Sequence, residues 1–231
     1  MQNRPTTPEL FPFQSAPGPN SSATHDGDEI AVWEELWRSI RACRRCQKQG
    51  FLSKIRPVFS PVTPSRWLLI GQAPGEVEQE TGRPFSGRAG RQLFRWLAQT
   101  GWEEEAFRAQ VYMTALTRCF PGKSRDGAGD RAPSTAERAL CRPHLEAELA
   151  LLRPSLLILV GKMAIETFLG TARLEEVVGK LIEQGGRLHL SLPHPSGASR
   201  WLNETAHKES LERALQCLRE VNGELSNAGD R

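Results

Sequence analysis

Leu156-Leu-Ile-Leu-Val160 is a run of apolar residues with no polar alternation. A strand of this kind has to be covered on both faces, as strands of parallel sheets are. Three more short apolar segments accompany it: Trp67-Leu-Leu-Ile70, Val111-Tyr-Met-Thr-Ala115 and Leu188-His-Leu-Ser-Leu192. Helical patterns separate them. Residues 89–101 bring Leu93, Phe94, Trp96 and Leu97 to one side, Ser134-Thr-Ala-Glu137 has capping-box spacing and opens a helix to about Leu152, and a further helix spans 162–169. Strands alternating with helices predict an α/β fold: three α/β/α layers around a central, mainly parallel, four-stranded sheet. In such folds ligands bind beyond the carboxyl ends of the strands. The segments Gly71–Gly75, Thr114–Cys119 and His194–Ser196 each follow a strand and are expected to meet there.

The ends of the chain read differently. Residues 1–28 are rich in Pro, Ser, Asn, Gly and Thr, without hydrophobic period, and are expected to form a disordered tail. An amphipathic helix follows over 30–42, carrying Val32, Trp33, Leu36, Trp37 and Ile40, and runs into Cys43-Arg-Arg-Cys46. A last helix is expected over 205–221, which sets one domain at 29–222 and a short tail at 223–231. No apolar run approaches the roughly 20 residues of a membrane helix. The first residues lack a basic-then-apolar signal, so a cytoplasmic protein without a membrane partner is expected, and a monomer. A net charge of +3 permits a local DNA-binding face without demanding one.

Five cysteines in such a chain argue against a disulfide framework. Cys43 and Cys46 stand two residues apart at a helix end, Cys119 follows the second strand and Cys141 lies early in the long helix. Four thiolates suit zinc or an iron–sulfur cluster, and on spacing alone zinc is the commoner solution. Burial of Cys119 and Cys141 as small core residues is the competing reading. Cys217, beside Leu215 and Leu218, reads as core.

Five motifs in order carry a resemblance: the CxxC of Cys43 and Cys46; Gly71-Gln-Ala-Pro-Gly-Glu-Val-Glu-Gln-Glu-Thr-Gly-Arg-Pro-Phe-Ser-Gly-Arg-Ala-Gly90; Tyr112-Met-Thr-Ala-Leu-Thr-Arg-Cys119; Cys141; and His194-Pro-Ser196. Over about residues 30 to 222 the chain resembles the uracil-DNA glycosylase superfamily, specifically its iron–sulfur branch, families four and five. The resemblance implies a structural [4Fe–4S] cluster on Cys43, Cys46, Cys119 and Cys141. It also implies hydrolysis of the N-glycosidic bond of uracil in single- or double-stranded DNA.

The resemblance further implies residue roles. Phe85 would stack on the flipped base, with Gly71, Ala73 and Ala115 lining its pocket. His194 would donate a hydrogen bond to the uracil oxygen as charge builds. Gly87 and Gly90 would let backbone amides approach a phosphate, with Arg88 and the nearby Arg83, Arg91 and Arg95 as DNA contacts and Ser196 as a further phosphate ligand. Trp201 and Leu202 would supply a wedge for the vacated stack. Two positions depart from the family pattern. Gln72 stands where the family has the Glu that positions water, so it can orient water but not take its proton. Ala115 stands where the family has the Asn that reads the uracil edge. Asn203 is a substitute for that Asn or else a helix cap, and Glu76 and Glu78 either supply the missing carboxylate or lie on the exposed side of their loop.

Overall fold

The computed structural model describes residues 26–60, 65–127, 129–171, 173–196 and 201–228, with side chains from 30 to 221. In chain order the elements are α1 (Asp26–Ala42), α2 (Arg45–Lys48), β1 (Trp67–Gly71), α3 (Glu76–Thr81), α4 (Arg88–Ala98), α5 (Glu104–Gln110), β2 (Tyr112–Ala115), α6 (Thr135–Leu152), β3 (Leu156–Val160), α7 (Lys162–Leu169), α8 (Leu174–Val177), β4 (Leu181–Gln184), β5 (Arg187–Leu192), the 3-10 turn η1 (Trp201–Asn203) and α9 (Thr205–Ala228). The tail expected over 1–28 falls outside the described residues up to 25, and α1 already begins at Asp26. At the other end α9 continues past 222 to Ala228.

The strands form one sheet in the order β2-β1-β3-β5-β4. β1 lies parallel to β2 and β3, and β3 parallel to β5. The expected four-stranded sheet is therefore corrected to five strands: β4 pairs antiparallel with β5 at the edge. Gly185 (φ 60°) and Gly186 (φ 70°) make the two-residue turn between them, a conformation suited to the twist of a hairpin. β4 escaped the sequence reading because Leu-Ile-Glu-Gln is short and half-polar, with Leu181 and Glu183 exposed; an edge strand has only one face to bury.

Alternation along the buried strands sorts the core into two layers. Leu69, Met113, Ile158 and Leu190 face Leu93, Phe94, Trp96 and Leu97 of α4, Phe107 of α5 and Leu211, Leu215 and Leu218 of α9. Leu68, Ile70, Tyr112, Leu157 and Leu159 face Trp33 and Ile40 of α1, Leu145 and Leu149 of α6 and Ile165 and Phe168 of α7. Val32, read as part of the inward stripe of α1, is instead exposed. Each fully buried large aliphatic or aromatic residue contributes about 1.5–3 kcal/mol, so the sheet is a rigid platform for the loops at its carboxyl edge. The chain passes from β1 outward to β2 and then returns to the other side of β1 as β3. The crevice lies at this reversal, where α/β sheets bind ligands.

Candidate active site

The carboxyl ends of β1, β2, β3 and β5 open on a cleft of about 470 Å³. Gly71, Gln72, Ala73, Phe85, Gly87, Arg88, Ala115, His194 and Ser196 all line it. The convergence expected from topology is thus present. Trp201 and Asn203 are not among the lining residues. Trp201 is half-buried and stacks on His207 with ring centroids 4.2 Å apart, and with Leu202 it packs against the core. Asn203 is exposed one residue before Glu204, whose carbonyl accepts the His207 and Lys208 amides at the start of α9. Neither the pocket role nor the cap role fits Asn203. The packing of Trp201 and Leu202 fits core better than wedge.

Phe85 forms an apolar wall of the cleft in an unusual conformation. Its φ is 52°, one of two positive-φ non-glycine residues described, a state that costs of order 1–3 kcal/mol and persists only where neighbours enforce it. Three neighbours do so. A Cβ on Gly90 would lie 1.7 Å from the Phe85 carbonyl oxygen, so only glycine fits there. A Cβ on Gly71 would lie 2.8 Å from the ring tip, so the ring rests directly on the β1 backbone. The buried Arg108 guanidinium donates to the carbonyls of Pro84 (2.7 Å) and Phe85 (3.0 Å), while it pairs with Glu104 (2.9 Å) and lies 4.3 Å over the Phe94 ring. Nothing in the local sequence around Arg108, a helix position of α5, marks it for this task.

Glu78 corrects another expectation. Instead of facing solvent it is buried, and its carboxylate accepts the main-chain N–H of Gly75 (3.1 Å) and of Gly87 (2.9 Å). One side chain thus ties the two glycine loops of the cleft together. Glu76 is exposed as expected and pairs with Lys123 at 2.7 Å. Among the arginines, Arg88 lines the cleft from the first turn of α4, while Arg83 is turned to Glu105 and Glu104 of α5.

His194 shows how the cleft can donate a hydrogen bond. The Ser196 main-chain N–H donates to its Nδ1 at 3.2 Å, and the Ser196 hydroxyl lies 2.9 Å from the same nitrogen. An N–H can only donate, so Nδ1 is the acceptor and the ring proton sits on Nε2. Burial lowers the His194 pKa below the ordinary imidazole value, which favours this neutral form. The hydroxyl and amide of Ser196, expected to hold a phosphate, are both engaged by the imidazole. The ring itself packs on Gly161, the residue that follows β3.

A second, enclosed pocket lies beside the first. Cys43, Cys46, Cys119 and Cys141 all line it, with Ile40, Leu52, Ile55, Pro57 and Leu140 as apolar wall. Burial, reinforced by the neighbouring Cys141 thiol, pushes Cys119 up to about 12 and Cys46 up to about 11. Cys141 is raised as well, chiefly by burial, and its sulfur accepts the Arg118 main-chain N–H at 3.3 Å. Among the described residues no three His, Cys, Asp or Glu side chains are gathered tightly enough to hold one metal ion. Four thiols lining one pocket suit a centre with four thiolate ligands, zinc or an iron–sulfur cubane alike. Arg118 joins the two pockets: fully buried, it pairs with Glu148 of α6 and donates to the carbonyl of Ala115 in the cleft. Cys217, read as core, is half-buried and packs against the α9 side of the core.

A doubly wound α/β domain, with one ligand cleft at its strand reversal and a four-thiol pocket next to it, is the class that fold and site define. The model of the uracil DNA glycosylase superfamily matches residues 57–219, and the chain belongs to that superfamily. It is 31% identical over 135 residues to a type-4 uracil-DNA glycosylase of Thermotoga maritima, a match covering 57% of this chain and 65% of that relative. It is 29% identical over 158 residues to the type-4 uracil-DNA glycosylase of Archaeoglobus fulgidus, covering 65% and 72%. A similar match, 29% over 153 residues, is to the type-4 uracil-DNA glycosylase of Pyrobaculum aerophilum, covering 66% and 69%. Type 4 is the iron–sulfur branch that the cysteine and glycine motifs resemble. Among the described residues no helix is long and apolar enough to cross a membrane.

Proposed function

We propose that this protein is a DNA repair enzyme that flips uracil out of DNA and hydrolyses its N-glycosidic bond, leaving an abasic site. The observation that carries the reading is the neutral His194, tautomer fixed by Ser196, in one cleft with the Phe85 ring. A base in the stack is beyond reach of any such group, so it is extruded, at a few kcal/mol, and held by stacking and edge contacts. Phe85 supplies the stacking surface, and its rigid mounting lets the slot be formed before the base arrives. As the bond to the sugar breaks, negative charge moves to the base. A donor already aimed at the base oxygen stabilises that charge without reorganising, the effect that typically gives 10²–10³ in rate. Arg88, on the first turn of α4, holds the DNA backbone, while the Gly87 amide is taken by Glu78. Gln72 orients the water that meets the sugar cation.

The four thiols fit a [4Fe–4S] cluster in number and enclosure, and the Arg118 amide supplies a hydrogen bond to one sulfur. Such a cluster would tie α1 and α2 to the segment after β2 and to α6; its role in this reaction is structural. Because the thiols are protonated when free, cluster assembly releases protons. In this reading the protein is a cytoplasmic monomer acting on uracil in single- or double-stranded DNA.

A second reading, binding of uracil-containing DNA without efficient turnover, is favoured by Gln72 and by the apolar Ala115 at the cleft. One experiment separates the two. Oligonucleotides carrying uracil, hypoxanthine or xanthine, single- and double-stranded, are incubated with the protein and then cleaved by alkali. Strand breaks at uracil support the enzyme. Retention of the uracil strand without breaks supports the binding protein.

A further inference from the structure

Gln72 leaves the reaction without its expected carboxylate, and the carboxylates near it are not equivalent. Both Glu78 oxygens are engaged by main-chain amides of the cleft loops. Glu76 also lines the cleft and shares Lys123 with Asp130, but its side chain is the more exposed of the two, 51% against 39%. Asp130, on the loop between β2 and α6, remains. It lines the cleft together with Gln72, Phe85 and His194. Its Oδ1 is held by Lys123 at 3.0 Å. Its Oδ2 is turned toward the loop after β1, 2.9 Å from where a Cβ on Gly75 would stand, so the absence of a side chain at Gly75 makes room for it.

The loop that carries Asp130 is organised. Lys123 and Asp130 pair as an antiparallel bridge, and the Arg131 amide donates to the Gly122 carbonyl at 2.9 Å. The next side chain, Arg131, makes two 2.7 Å bonds to Glu137, which also closes the capping box of α6 with Ser134. Asp130 is thus anchored on one side to the loop and on the other to a long helix.

We propose that Asp130 supplies the carboxylate that position 72 lacks: it faces the sugar cation and takes the proton of the attacking water. The inference rests on the glycosylase reading. In the step it serves, the bond between base and sugar breaks with its electron pair kept by the base. The oxygen of water bonds to the sugar carbon, and the water's proton passes to Asp130, which delivers it to the departing uracil anion. Lys123 holds the Oδ1 of Asp130 in place. Gln72 orients the water and Asp130 supplies the charge, so one task of a single Glu is divided between two residues.

The test is single-turnover cleavage of a uracil-containing single strand by wild type, Asp130→Asn and the double variant Gln72→Glu/Asp130→Asn, across pH. Loss of a general base lowers rates by about 10²–10⁴. Asp130→Asn is expected at the lower end, near 10²-fold, with DNA affinity unchanged or higher because a negative charge is removed. It is also expected to lose the acidic limb of the pH profile, and Gln72→Glu is expected to restore both rate and limb. A structural role for Asp130 would give weaker binding and an unchanged profile, and would overturn the inference. So would full activity in Asp130→Asn. If wild type itself makes no abasic sites, the glycosylase reading fails instead, so the two failures are distinct.

Discussion

Arg108 holds Phe85 in place from behind: its guanidinium donates to the Phe85 carbonyl at 3.0 Å while the Phe85 backbone sits at a φ of 52°. The ring that walls the cleft therefore owes its position to a residue on α5 that never faces the cleft. Replacing Arg108 by Met keeps the apolar stem but leaves the Pro84 and Phe85 carbonyls without their donor. The expected effects are a loss of about 2 kcal/mol of stability in urea unfolding and weaker binding of uracil-containing DNA. Unaltered binding by a folded Arg108→Met protein would contradict the clamp.

Gly71 and Gly90 both press on Phe85, but at different atoms. At Gly90 an added methyl meets backbone carbonyl, which cannot move; at Gly71 it meets the ring tip, which can. Gly90→Ala is expected to destabilise the fold by more than about 3 kcal/mol, beyond the usual range for overpacking. Gly71→Ala is expected to fold nearly as well as wild type but to bind the base poorly. Thermal unfolding and fluorescence titration with a base-analogue oligonucleotide separate the two outcomes.

The hydrogen bonds of Ser196 fix which nitrogen of His194 carries the proton. Removing only the hydroxyl, in Ser196→Ala, leaves the main-chain N–H in place. The expected cost is about tenfold in the cleavage rate, the value of one hydrogen bond, against about 10²–10³ for His194→Ala. Equal losses in the two variants would contradict this division of roles.

The buried histidines make stability depend on pH. Burial pushes His144 down to about 4, with Arg118 and Arg45 adding to the effect, and lowers His194 in the same direction. Unfolded histidine titrates near 6.5. Between that value and the folded one the unfolded chain binds more protons, so stability falls as pH drops through this window and is unaffected above it. For His144 the window runs from about 6.5 to about 4. Urea unfolding of wild type and His144→Gln at pH 7 and pH 4.5 is expected to show a wild-type loss that the variant lacks in part.

The strands with both faces buried, β1 and β3, and the loops that follow them were legible because an apolar run has one structural use and a glycine-rich turn after it has few. The cysteine set was legible as a cluster only through the family resemblance, because one CxxC and two scattered cysteines leave zinc and burial open. β4 was not, since an edge strand need bury only one side chain in two. Arg108 and Glu78 were missed or misplaced for a common reason: both act on main-chain atoms far away in sequence, and a partner that is a carbonyl or an amide leaves no pattern of residue types. Trp201 and Asn203 went wrong the other way. Their nearness in sequence to His194 suggested a site, while packing on His207 and the core takes Trp201 elsewhere.

Excision of uracil by the His194 cleft is tested most directly by liberated base. A single strand carrying one radiolabelled uracil, incubated with excess protein, is separated by chromatography for wild type and His194→Ala. The expected result is stoichiometric free uracil from wild type and a rate at least about 10²-fold lower from the variant. Free uracil released equally fast by His194→Ala, or none released by iron-replete wild type, would contradict it.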